Sequence, residues 1–301
     1  MRLRSQIALL VFGALVPTVV FTFTAARQLA ERERESVERN VMARVRAAMS
    51  AVDVHVQGSI ATLDALATSK NLELGDIAAF HAETQRVLRS QPSWVNIGLT
   101  SAAKMQLSNA VYAFSKPWPL GMQDESFEAV VRSGKPAIGS VAAGDVVRSP
   151  TVRVRVPVIQ NGEVRYVLSA PQSLKYLVGV LEAQRLPEDW VVVLFDREKR
   201  IIARIPHLPA GLPAADSFKE QTARAEVWFQ GTTEGRANYT AYVTSPLTGW
   251  GLGVEMPAAE IDAGERRIFA LVGAVLLVAF VAGSLLGWLI ARRRYLAPPR
   301  A

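Results

Sequence analysis

Residues 151–170 read TVRVRVPVIQNGEVRYVLSA. Side chains along a strand point alternately to its two faces. Val152, Val154, Val156 and Val158 therefore share one face, and Arg153 and Arg155 share the other. Asn161-Gly162 marks the fold-back, because a two-residue hairpin turn needs positive φ at both central positions. Such a turn sets Arg153 opposite Ala170, Arg155 opposite Leu168 and Pro157 opposite Tyr166, all on the arginine side. The stretch demands an antiparallel sheet with an apolar face to cover and a cationic face whose purpose is open.

Similar texture surrounds it. WVNIGLT (94–100) and MQLSNAV (105–111) read as short strands about a small turn, and ESFEAVVRSGKP (125–136) as a short helix stopped at Gly134. With IGSVAAGDVV (138–147) they make a sheet of about five strands. A helix from Gly75-Asp76 to Arg89 precedes it, with Asp76 as N-cap. The pattern then restarts on a smaller scale. SLKYLVGVLEAQRL (173–186) is a connecting helix, and Pro187 opens a linker. WVVVLFD (190–196) pairs with IIAR (201–204), the helix SFKEQTARA (217–225) follows, and VWFQGTTEG, ANYTAYVTS and WGLGVEM are further strands.

Two uncharged runs flank this region. IALLVFGALVPTVVFTFTAA (7–26) and IFALVGAVLLVAFVAGSLLGWLI (268–290) each match the roughly 20 residues that cross a ~30 Å hydrocarbon core. Arg2 and Arg4 precede the first; Arg292, Arg293 and Arg294 follow the second. Arginine at the outer ends puts both termini in the cytoplasm and residues 27–267 outside. Between the first run and the sheet, Val37, Val41, Val45, Ala48, Val52, Val56, Ile60, Leu63 and Leu66 recur every three or four residues. That is the stripe of a long amphipathic helix continuing from the membrane.

The chain of 301 residues has no cysteine, which excludes disulfides, thiolate metal sites and cysteine nucleophiles. Its net charge of +7 is scattered and partly spent on membrane flanks, unlike a nucleic-acid footprint. The histidines at 55, 81 and 207 lack ligand spacing, and His81 in HAETQ reads as a helix-surface residue. Ser133-Gly134-Lys135-Pro136 is no phosphate loop, GWGLG (249–253) opens no helix, and no GxSxG elbow occurs. Neither metal nor cofactor is called for, and no catalytic group is assigned.

The order of elements resembles the double Cache sensor region of bacterial transmembrane receptors, most like those heading sensor histidine kinases. AFHAETQRVLRSQPSWVNIGLTSAAKMQLSN, QDESFEAVVRSGKPAIG and VRVPVIQNGEVRYVLSAPQSLKYL look like the membrane-distal module. EDWVVVLFDREKRIIAR and YTAYVTSPLTGWGLGVEMP look like the proximal one. The resemblance implies an α+β fold in which two transmembrane helices flank a long helix and two tandem antiparallel-sheet, PAS-like modules. The segments are a cytoplasmic N-terminus (1–6), a transmembrane helix (7–26), a stalk helix (27–70) and the distal module (71–172). A connector (173–189), the proximal module (190–260), a second transmembrane helix (268–290) and a cytoplasmic tail (291–301) complete it.

The resemblance further implies an extracytoplasmic small-molecule sensor in the plasma membrane, dimeric, passing a helix shift to a cytoplasmic kinase output or separate partner. In the amino-acid-binding subgroup an Arg-x-Trp-Tyr group and a strand aspartate hold the ligand. Here the matching places read Glu125-Ser126-Phe127-Glu128 and Pro171, which puts that mode in doubt. The valine face should pack on the long helix and the arginine face should look towards the loop bearing Trp118. Guanidinium groups over a cavity favour a carboxylate or phosphate. Arg153 and Arg155, with Trp94, Asn96, Tyr112, Trp118 and Tyr166, are the expected neighbours of a small anionic ligand. The alternative is a two-span membrane adaptor that binds a partner protein through an exposed apolar patch.

Overall fold

The computed structural model describes residues 2–114, 124–143, 149–233 and 235–295, without the side chains of 2–16, 286–287 and 289–295. The chain divides into two compact units, Met1–Asn40 with Pro257–Ala301, and Val41–Met256. Helix α1 (Arg2–Ala67) contributes residues to both.

In the first unit, α1 is accompanied by α7 (Ala258–Ile261) and α8 (Ala263–Tyr295). Phe23 packs against Phe269 with ring centroids 6.2 Å apart. Among the described residues, one helical stretch, Ala263–Leu285 of α8, is long and apolar enough to cross a membrane. The apolar run 7–26 lies on α1, but its side chains up to residue 16 fall outside those described.

In the second unit α2 (Lys70–Glu73) and α3 (Ile77–Ser90) follow α1, and Asp76 caps α3 by accepting from the Ala79 amide. Strands β1 (Gly98–Ser101), β2 (Gln106–Asn109), β3 (Ala137–Ile138), β4 (Ala142–Ala143), β5 (Pro150–Gln160) and β6 (Glu163–Ser173) form an antiparallel sheet. Its order is β2-β1-β6-β5-β3, with β4 also pairing β5. Helix α4 (Glu125–Ser133) ends at Gly134, whose φ of 62° is a left-handed cap.

The hairpin turns at Asn161 (φ 54°) and Gly162 (φ 83°), as a two-residue turn requires. Its register differs from the expected one. Gln160 faces Glu163 and Ile159 faces Val164, but Val158 faces Tyr166, so Arg165 is an extra residue in a bulge. Beyond the bulge every β6 side chain changes face. Arg153 opposes Pro171, Arg155 opposes Ser169 and Pro157 opposes Val167, while Val156 opposes Leu168 and Val154 opposes Ala170. The bulge puts Tyr166, Leu168 and Ala170 beside the buried valines and the hydroxyl of Ser169 beside Arg155. A one-residue slip trades one whole face for the other, so burial decides it.

The valine face meets α1. Gln172, opposite Val152, receives a hydrogen bond from Ser59 (3.4 Å), and Ser59 also accepts from the Trp94 indole (3.0 Å). Val152, Val154, Val156 and Val158 are at most 1% exposed, as are Val52, Val56 and Leu63 of the α1 stripe. Each such side chain contributes about 1.5–3 kcal/mol relative to exposure. The other face carries α4, whose Phe127 and Val130 pack on Val167.

After α5 (Leu174–Glu182) comes a second antiparallel sheet of β7 (Val191–Phe195), β8 (Ile201–Ile205), β9 (Glu226–Thr233), β10 (Arg236–Thr244) and β11 (Gly251–Pro257). Its order is β8-β7-β11-β10-β9. Helix α6 (Asp216–Gln221) places Phe218 among Phe195, Phe229 and Tyr242. Gly251 is obligatory here, since a Cβ would collide with the Tyr242 ring. Both sheets are tied to α1, the second through Ser245 donating to Asp53 (2.6 Å) and an Arg46–Glu226 ion pair (2.7 Å). The sheets are also tied to each other. Asp196, 1% exposed, accepts from the Val141 amide (3.0 Å) and from the amides of Glu198 and Arg200 in its own turn.

Candidate functional site

Arg153 and Arg155 are 4% and 1% exposed, so their face is not a wet one. The long alternating strand brings both guanidiniums to the N-terminus of α4, where the Asp124 carboxylate waits. Asp124 accepts from the Ser126 and Phe127 amides (3.0 and 3.2 Å) and from the Ser126 hydroxyl (2.5 Å). It is thus the helix N-cap. Arg155 donates through Nη1 to Asp124 and to Ser126, and through Nε to Ser169 (3.1 Å). Arg153 lies with Nη1 3.9 Å from Asp124 and donates through Nη2 to the Ala143 carbonyl (3.3 Å). Burial pushes the Asp124 carboxyl up, but Arg155, Ser126, the Phe127 amide and Arg153 together outweigh it and hold it below the usual aspartate range.

Buried charges persist only when paired and hydrogen-bonded. Here one carboxylate locks two guanidiniums and one helix end into a rigid polar cluster with side-chain donors. Gly139 belongs to the same cluster, for a Cβ there would stand 3.1 Å from the Ser126 hydroxyl and 3.3 Å from Asp124. Its bare backbone leaves room beside the carboxylate.

The remaining expected neighbours scatter. Tyr166 is on the valine face, opposite Val158, with the Arg165 guanidinium 5.5 Å from its ring. The bulge overturns its expected place beside the arginines. Trp94 is core, 6% exposed and tied to α1 by Ser59. Asn96 is 6% exposed, and its Oδ1 has no hydrogen-bond partner among the described residues. Tyr112 is exposed, its carbonyl 3.4 Å from the Gln85 amide nitrogen. Trp118 lies outside the described residues, and so does the loop towards which the arginines were expected to look. His81 is not on the surface: at 4% exposure it contacts Ser108 through Nδ1 (2.8 Å), because α3 packs on β2.

Sequence reasoning missed Asp124, Ser126 and Ser169. Asp124 could have been found, since an Asp before ESFEAVV is an N-cap signal. Ser169 could not, because its face depends on the bulge.

No protein-family model matches the chain, and no curated protein matches it in sequence. Solved structures do match its fold. The ligand-binding domain of the Pseudomonas fluorescens chemoreceptor CtaA, in complex with L-isoleucine, superposes with a TM-score of 0.63 at 14% identity, over 77% of this chain and 97% of that one. The chain has the fold of a chemoreceptor sensory domain. The sensory domain of the Campylobacter jejuni chemoreceptor Tlp3 (CcmL), with isoleucine bound, gives a TM-score of 0.57 at 13% identity, covering 77% and 97%. The extracellular domain of the candidate histidine kinase rpHK1S-Z16 gives 0.52 at 13% identity, covering 81% and 98%. The resemblance to double Cache sensor regions thus holds at the level of the fold: a long N-terminal helix and two antiparallel sheets.

Proposed function

We propose that this chain is the extracytoplasmic sensor region of a transmembrane signalling receptor. It binds a small carboxylate-bearing ligand in the first sheet module and passes a shift of α1 or α8 to a cytoplasmic output. The fold shared with ligand-binding domains of chemoreceptors carries the sensor reading. The buried guanidinium pair at the head of α4 supports a carboxylate group on the ligand. Two chemoreceptor domains with this fold hold isoleucine, whose carboxylate is accompanied by an ammonium group and an apolar body. A zwitterion of that kind suits a site where guanidiniums stand beside the partly exposed Asp124 carboxylate. It would be held by other residues than Arg-x-Trp-Tyr, since α4 begins Glu125-Ser126-Phe127-Glu128.

Signalling requires only that ligand favour one of two arrangements. Helix α1 suits that role, because Ser59 links it to the first sheet and Asp53 and Arg46 to the second. A dimer set in the plasma membrane by both apolar runs, with residues 27–267 outside, completes the proposal. Thermal shift of the full chain in detergent, against a panel of carboxylic acids, amino acids, amines and sugars, tests it. Stabilisation confined to carboxylate-bearing compounds is expected. Stabilisation by amines or sugars alone would overturn the carboxylate assignment, and no response to any class would overturn the sensor reading.

A further inference from the structure

The second sheet module holds a cavity of its own. It is a half-open cleft of about 450 Å³ between the sheet face carrying β9, β10 and β11 and the short helix α6, within the range of small-molecule sites. Phe218 and Phe229 form an apolar wall, and Glu255 and Asn238 line the cavity. Asn238 is 93% buried by its exposure of 7%. Its Nδ2 reaches Glu255 Oε2 (3.4 Å), yet its Oδ1 has no hydrogen-bond partner among the described residues. That acceptor lies over Gly231, its cross-strand neighbour, where a Cβ would stand only 3.2 Å away. The glycine therefore leaves room for the buried carbonyl of Asn238, a residue that lines the cavity. A buried amide oxygen without a donor costs free energy that a ligand N–H would recover.

We infer that this cavity is a second ligand site, distinct from the arginine cluster of the first module, for a small compound with an amino head group and an apolar body. Asn238 Oδ1 and the Glu255 carboxylate accept from the amino group, and the phenylalanines take the apolar body and lend their ring faces to the cation. Arg204, on the β8 side of the cavity, would meet a carboxylate if the ligand also carries one.

The test is calorimetric titration of the full chain in detergent with three compounds of matched apolar body: 3-methylbutylamine, L-leucine and 3-methylbutanoate. Binding of the amine, or of leucine in a manner that Asn238→Ala weakens, supports the site; leucine binding that Asn238→Ala leaves unchanged belongs to the first module and overturns it. Binding of 3-methylbutanoate alone, or of none, overturns it. Asn238→Ala should weaken the amine-dependent event about tenfold, as loss of a buried acceptor would. Ser217→Trp, an exposed change on α6 at the cavity, should block it without altering thermal stability. Amine binding that survives both variants overturns the assignment. Neither variant touches the arginine cluster, so loss of a carboxylate response there would be a separate failure, read with Arg153→Gln.

Discussion

Arg155 on β5 donates to Asp124, and Asp124 in turn caps α4. One carboxylate thereby fastens a helix end to the sheet face it covers. Arg155→Ala leaves a partly buried carboxylate without its main partner and frees the Ser169 hydroxyl. A destabilisation of about 3 kcal/mol is expected in urea unfolding. A midpoint within error of the parent would mean the cluster is electrostatically neutral to the fold.

Acid should release the same cluster. The folded-state pKa of Asp124 lies below its unfolded value, so its contribution is fully present above about pH 4 and is lost as pH falls through the folded pKa. Asp124→Asn should flatten that part of the stability curve. An identical acid limb in parent and variant would show that other carboxylates set it.

The hairpin shows how far sequence reading reaches. The strand alternation, the Asn161-Gly162 turn, the Gly134 stop and the Asp76 cap are local signals, and each has a local cause that the structure repeats. The bulge at Arg165 has no such signal. It is chosen because Leu168 and Tyr166 bury better against the long helix than Ser169 and Arg165 would. Two faces were therefore exchanged along β6, and Tyr166 was misplaced with them. His81 failed for a related reason. A lone histidine in the polar stretch HAETQ looks solvated until a second element, here β2, is set against it.

Neutral histidine supports the fold near physiological pH. Burial lowers the pKa of His55 and of His81, outweighing the contacts with Gln172 and the Tyr112 carbonyl that raise them. With folded pKa values below the unfolded one, the unfolded chain binds more protons. Stability is therefore full above about pH 6.5 and falls as pH drops. Thermal melts from neutral to mildly acidic pH should show that slope, and His55→Gln with His81→Gln should flatten it. A slope unchanged in the double variant would assign it elsewhere.

Asp196 should govern coupling between the sheets. Asp196→Ala strips acceptors from the amides of Val141, Glu198 and Arg200, costing about 2–3 kcal/mol. Hydrogen exchange should quicken at the Val141 amide ahead of the β5–β6 ladder. Equal protection at Val141 in parent and variant would show that the contact is incidental.

The most direct trial of the sensor account is a titration of the full chain, and of its Arg153→Gln variant, with whichever carboxylate-bearing compound stabilises the parent. The account predicts that the variant stays folded and binds that compound about tenfold or more weakly, as expected for losing a charge-assisted contact. Equal affinity in the two proteins would contradict it and return the arginine pair to a purely structural role.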